Sequence, residues 1–140
     1  MASYSTSIEI LASRESIWPI LMDFGRWSEW TKSIAGIEAI DGNPVSIGSK
    51  WRITQPKLAP AVWTITAIDE LQSFTWGSSG PGVKFEALHR LESTPSGTLL
   101  TLGIETRGPL SWLLALIYGK LTQTYIQMEA AGLKKRCESP

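Results

Sequence analysis

The chain has 140 residues, 43% of them hydrophobic and 19% charged, with 13 basic side chains against 13 acidic ones. This composition suits one globular domain with a sizeable core and excludes a disordered chain. The even charge balance argues against a general nucleic-acid binder, which carries a basic excess, and a lone Cys137 excludes an internal disulfide.

No basic stretch followed by an apolar one opens the sequence, so no signal peptide is expected. The most apolar run, Leu110 to Tyr118, is far too short to cross a bilayer. The expectation is a single soluble, cytoplasmic domain over residues 1–140. Seven tryptophans are spread along it. Rings of that size either fill a large core or line a large space.

Tyr4 to Leu11 alternates and is rich in Ser, Thr and Ile, which predicts a strand. Ser13 stands where a helix N-cap belongs, and Ile17, Trp18, Leu21 and Met22 follow at helical spacing. Pro19 predicts a kinked or short helix, and Gly25 ends it. A second short helix is predicted over Arg26 to Lys32, forming a V with the first. Strands are then predicted over Ile34–Ile40, Ser49–Gln55, Ala61–Asp69, Ser73–Gly77, Val83–Glu92 and Thr98–Arg107. Short turns join them, among them Asp41-Gly42-Asn43-Pro44, the loop Ser78 to Gly82, and Pro95-Ser96-Gly97. Both faces of Ala61–Asp69 are fairly apolar, so alternation does not say which points inward.

A long amphipathic helix is predicted from Pro109 to Arg136, with Leu110, Leu113, Leu114, Ile117, Leu121, Thr124, Tyr125, Met128 and Ala131 on one stripe. Pro109 suits a first helical turn, and Lys134, Lys135 and Arg136 complement the dipole at the other end. Short connections imply antiparallel hairpins. The first strand has helices after it, so it pairs with the last strand. The predicted architecture is α+β: a curved seven-stranded antiparallel sheet with the long helix across its concave face.

Trp18, Leu21-Met22-Asp23, Trp27-Ser28-Glu29-Trp30, Gly48, Phe74-Thr75-Trp76, His89, Gly97-Thr98 and Glu105-Thr106-Arg107-Gly108 stand in a recognisable order and spacing. On these residues the whole chain resembles the START-like, Bet v 1-like helix-grip superfamily (SRPBCC). Within it, the chain resembles the polyketide cyclase/dehydrase and lipid-transport group. The resemblance implies a pocket between sheet and long helix. The residues placed to line it are Trp51, Ile53, Phe74, Trp76, Phe85, Ala87 and His89 from strands, and Leu113, Ile117, Leu121, Tyr125 and Met128 from the helix. The alternative is that these side chains pack on one another and leave no space.

His89, the only histidine, falls on the apolar face of its strand. It is either a core histidine with a hydroxyl or carbonyl partner, or a polar group of the pocket that orients a ligand or moves protons, with Tyr125 as its candidate partner. No catalytic triad, zinc set or phosphate loop is present: Ser78–Gly82 precedes a strand and not a helix. No cofactor and no metal are therefore expected. Arg52, Glu86 and Arg90 belong to the solvated face, and alternation puts Glu105 opposite the inward Leu102 and Ile104.

Three functions fit. The first is a binding or carrier protein for a small hydrophobic molecule, such as a lipid, a polyketide-like compound or an aromatic metabolite. The second is a cyclase or dehydratase using His89 and Tyr125. The third is an interaction module with a filled core. Trp112, Leu116, Ile126 and Leu133 lie off the main stripe and are either a homodimer contact or packing against the two short helices.

Overall fold

A computed structural model describes residues 2–40 and 45–139. Strand β1 (Ala2–Ile10) is followed by helix α1 (Arg14–Leu21) and a 3-10 helix (Phe24–Glu29). Six strands come next: β2 (Gly36–Ala39), β3 (Lys50–Thr54), β4 (Ala61–Asp69), β5 (Ser73–Gly80), β6 (Val83–Ser93) and β7 (Thr98–Arg107). Helix α2 (Ser111–Glu138) closes the chain. The strands form one antiparallel sheet in the order β1-β7-β6-β5-β4-β3-β2. β1 pairs with β7 from Ala2 opposite Thr106 to Ile10 opposite Thr98, as the intervening helices require. This is the helix-grip fold. The predicted turn 41–44 lies outside the described residues.

A side-chain cap explains the start of α1. The Ser13 side chain accepts from the Ser16 N–H at 3.2 Å, and Ile17, Trp18 and Leu21 turn inward. Pro19 keeps α1 to eight residues. The second short helix is a 3-10 helix starting at Phe24, two residues before the predicted start. Its fully buried Phe24 and Trp27 make it a core plug as well as a connector. Phe24 packs edge-on to Trp27 and Trp51, with ring centroids 5.3 and 5.1 Å away, and lies 5.0 Å from Trp76. Most of the tryptophans therefore belong to one aromatic core between the 3-10 helix and the sheet.

Two local irregularities lay beyond periodicity. A bulge between Ile65 and Ala67 shifts the register of β4 against β5. Ile65 and Ile68 both face the core because of it, which is why strict alternation left this strand undecided. Further on, β5 runs to Gly80 and pairs with Val83, so the predicted loop Ser78–Gly82 shrinks to a turn at Pro81-Gly82. Gly82 adopts φ +73° there, a conformation only glycine takes without strain.

Helix α2 begins at Ser111, so Pro109 precedes it and is not in its first turn. It lies along β1 in the same direction. The Gln123 side-chain amide donates to Ser5 O at 3.1 Å, Lys134 Nζ donates to Glu9 O at 2.7 Å, and the Leu11 N–H donates to Glu138 at 2.8 Å. Its C-terminal half also rests on the short helices: Arg136 pairs with Glu29 at 2.9 Å. Burial pushes the Cys137 thiol up to about 11, which keeps it in the less reactive thiol form at neutral pH.

The face that α2 presents to the sheet differs from the predicted stripe. Ser111, Tyr125, Ile126, Ala130 and Leu133 are buried, with Leu114, Ala115, Tyr118 and Thr122 continuing the same face. This is the predicted stripe moved on by one residue, a rotation of about 100°. Ile117, expected inside, is 59% exposed. Ile126 and Leu133, expected off the stripe, are in the core, whereas Trp112 and Leu116 are 66% and 78% exposed. Apolar residues surround the first half of α2, so the spacing alone admitted both rotations.

The backbone N–H of Leu11, and then Lys134, hold the Glu138 carboxyl below its usual value of 4.5. A depressed carboxyl stabilises the fold above its unfolded pKa and loses that contribution as pH falls through the folded one. Glu138→Gln is therefore expected to lower stability at pH 7 and to cost progressively less below about pH 4.5. Urea midpoints of both proteins across pH 3–7 check this. A gap that stays constant with pH would mean that the carboxylate charge plays no part.

Candidate functional site

The two ends of α2 meet the sheet differently. Towards its C-terminus the helix packs solidly, with Ile126, Ala130 and Leu133 in the core. Towards its N-terminus only Ser111 is buried, and a cleft of about 280 Å³ separates helix and sheet. Leu114, Ala115, Tyr118 and Thr122 of α2 form one wall. Tyr4, Trp63, Phe85 and Ile104 of the sheet form the other, and Leu58 and Ala59 from the β3–β4 connection stand beside them. A smaller recess of about 50 Å³ adjoins it, bordered by Trp27, Ile53, Trp76, Ala87, His89 and Glu129. Gln55, Trp63, Ile104 and Tyr125 wall both spaces.

Strand register sets this arrangement. On the inner face Trp76 stands beside Ala87, and Ala87 beside Ile104, so one small side chain lies between two larger ones. The next inward row is Phe74, His89 and Leu102. His89 stacks flat on Phe74, with centroids 4.0 Å apart and planes at 6°. It meets Trp76 edge-on at 5.7 Å. The imidazole is 3% exposed.

The neighbour of His89 is Glu129, and not Tyr125 as the sequence suggested. His89 Nε2 lies 3.4 Å from Glu129 Oε2, both side chains being largely shielded from solvent. His89 Nδ1 is buried without a hydrogen-bond partner. The Tyr125 hydroxyl donates instead to Pro56 O, which ties α2 to the β3–β4 connection, and Gln55 Nε2 donates to Ser33 O at 3.2 Å.

Of the residues read as lining a pocket, Ile53, Trp76, Ala87 and His89 border the recess, Phe85 the cleft, and Tyr125 both. Trp51 and Phe74 are in the closed core. Leu113, Ile117, Leu121 and Met128 border neither space, a consequence of the rotated helix. Trp63, Gln55, Tyr4, Leu114, Ala115, Tyr118, Thr122 and Glu129 were missed. One signal pointed to Glu129: it is the only charged residue between Leu121 and Leu133. Glu105 pairs with Arg107 at 2.7 Å on the outer face and takes no part. Among the described residues no group of three or more His, Cys, Asp or Glu is placed to hold a metal ion. No helix among them is long and apolar enough to cross a membrane.

A family model described as "Polyketide cyclase / dehydrase and lipid transport" matches residues 1–138. The chain belongs to this family. Comparison with curated protein sequences gave no significant match. Solved structures agree on the fold. TTHA0849 from Thermus thermophilus has a TM-score of 0.78 at 17% identity, over 97% of each chain. Ara h 8.0201 has 0.76 at 16%, over 99% of each chain. The hypothetical protein jhp0584 from Helicobacter pylori has 0.82 at 10%, over 98% of this chain and 88% of its own. At these identities the likeness concerns fold and carries no information on ligand. Polyketide cyclase/dehydrase and lipid-transport membership does fit the helix-grip architecture described above.

Proposed function

We propose that this polyketide cyclase/dehydrase and lipid-transport family member binds a small hydrophobic molecule in the cleft between the sheet and the N-terminal half of α2. The observation that carries the reading is the cleft itself, about 280 Å³ between Trp63, Phe85 and Ile104 on one side and Leu114, Ala115 and Tyr118 on the other. Ligand sites are typically about 300–1,000 Å³, mostly apolar with a few polar groups that fix orientation. The cleft is just below that range, which favours a compact ligand of a few rings over a long acyl chain. Tyr4, Ser78, Tyr118, Thr122, Gln55 and Tyr125 supply polar groups along its walls.

Ala115→Trp tests this by filling the cleft from the half-buried helix wall. The variant is expected to keep the wild-type circular dichroism spectrum while losing at least about ten-fold in affinity for an apolar fluorescent probe. Native mass spectrometry of protein purified from its own host would identify any retained compound. Unchanged probe affinity in a folded Ala115→Trp protein would move the binding site elsewhere.

A second reading, proton transfer in a cyclisation or dehydration, is favoured by one observation: an imidazole and a carboxylate 3.4 Å apart beside the recess. That is the pairing general acid–base chemistry uses. Tyr125, the other candidate catalytic residue, has its hydroxyl hydrogen committed to Pro56 O. Turnover of an extracted ligand, lost in His89→Ala with binding retained, would decide for this reading.

A further inference from the structure

We propose that the recess receives the hydrogen-bond-donor end of the ligand, a hydroxyl or an ammonium, and rejects a carboxylate. This rests on the ligand-binding reading above and deepens it.

Gln55, His89, Tyr125 and Glu129 all wall the recess. Each of the three donor side chains already has an acceptor in reach. Gln55 Nε2 donates to Ser33 O at 3.2 Å, Tyr125 donates to Pro56 O, and His89 Nε2 faces the Glu129 carboxylate at 3.4 Å. Of these four residues the one uncommitted donor is the second Gln55 N–H, against several free acceptors. A carboxylate can only accept, and the Gln55 amide oxygen can only accept. A neutral imidazole carrying its hydrogen on Nε2, towards the carboxylate, holds a lone pair on Nδ1. That Nδ1 is buried and unpartnered. Buried polar atoms almost always have partners, so an orphan acceptor marks a place where a donor is wanted.

Charge points the same way. A ligand carboxylate in the recess would meet Glu129, and like charges repel more strongly in a shielded site than in water. An ammonium would be attracted by Glu129, and Trp63 and Trp76 on the same walls offer aromatic rings to a cation. A hydroxyl would donate without charge.

Four naphthalenes of one size separate these cases: 2-naphthalenemethanol, 2-naphthylmethylammonium, 2-naphthoate and 2-methylnaphthalene. Each is titrated calorimetrically into the full-length protein at pH 7. The alcohol or the ammonium is expected to bind about ten-fold more tightly than both the carboxylate and the methyl compound. The ammonium leading would assign a charged ligand, and the alcohol leading a neutral one. In Glu129→Gln the ammonium-over-carboxylate ratio is expected to shrink by about ten-fold. Carboxylate binding as tight as the alcohol and the ammonium overturns the proposal, and an unchanged ratio in a folded Glu129→Gln protein overturns the part assigned to Glu129. Should that variant not fold, the wild-type series decides alone. If only the methyl compound binds tightly, the cleft is a ligand site and the donor-end proposal is wrong. If none of the four binds, the ligand-binding reading fails and takes the proposal with it.

Discussion

Trp27→Ala is expected to cost about 3–5 kcal/mol, the usual range for removing a large buried aromatic side chain. Trp27 is fully buried. Its ring lies 5.3 Å from those of Phe24, Trp30 and Trp76, 5.7 Å from His89 and 6.2 Å from Phe74. No neighbour is free to fill the space, because those rings are themselves pinned between the 3-10 helix and the sheet. The indole N–H also donates to Leu21 O at 2.9 Å, so alanine leaves that carbonyl unpartnered at the end of α1. Trp27→Phe keeps much of the packing and loses the donor, and is expected to cost about 1–3 kcal/mol. Domains of this kind have about 5–15 kcal/mol in total, so the alanine variant should unfold at far lower urea. A loss below about 1 kcal/mol would show that the aromatic core re-forms around the gap.

Gly132→Ala is the second large effect, and its sign is the point. In an exposed helix the change would stabilise by about 1 kcal/mol, since alanine is the best helix former. Here a Cβ on Gly132 would fall inside the van der Waals envelope of the Trp30 carbonyl, with the Trp30 carbonyl carbon at 3.0 Å and Thr31 Cα at 3.4 Å. These are backbone atoms and cannot rotate away. The helix cannot retreat freely either, because Lys134 and Glu138 hold its last turns to β1. Overpacking of this kind costs about 1–3 kcal/mol, and the clash is expected to outweigh the propensity gain. Thermal and urea unfolding of both proteins measure the difference. A stabilised Gly132→Ala protein would mean that α2 does not seat against the 3-10 helix as described.

Gly132 also illustrates what a sequence hides. Along the chain it is one residue in a helical run, and nothing local says that a neighbouring backbone touches it. Glu129 is similar: a lone carboxylate in an uncharged stretch was visible, but its meeting with His89, 40 positions earlier in the numbering, depends on how α2 is turned. His89 itself was legible, because alternation in β6 put it on the inner face and the structure keeps it there. Trp63 was not, since the bulge in β4 breaks the alternation that would have aimed it.

Element order, the seven antiparallel strands, the pairing of the first strand with the last and the helix-grip fold follow from the sequence alone. They rest on signals carried by neighbouring residues: period-two alternation, caps, turn residues and short connections. The rotation of α2, the division between a solid and an open half, the residues that wall the cleft and the partner of His89 were decided only by the tertiary structure. The reason is physical. Apolar residues encircle the first half of α2, so no stripe on the helix itself selects the inner face. Contact with β1 and with the Trp30–Thr31 backbone selects it, and the site follows from that choice.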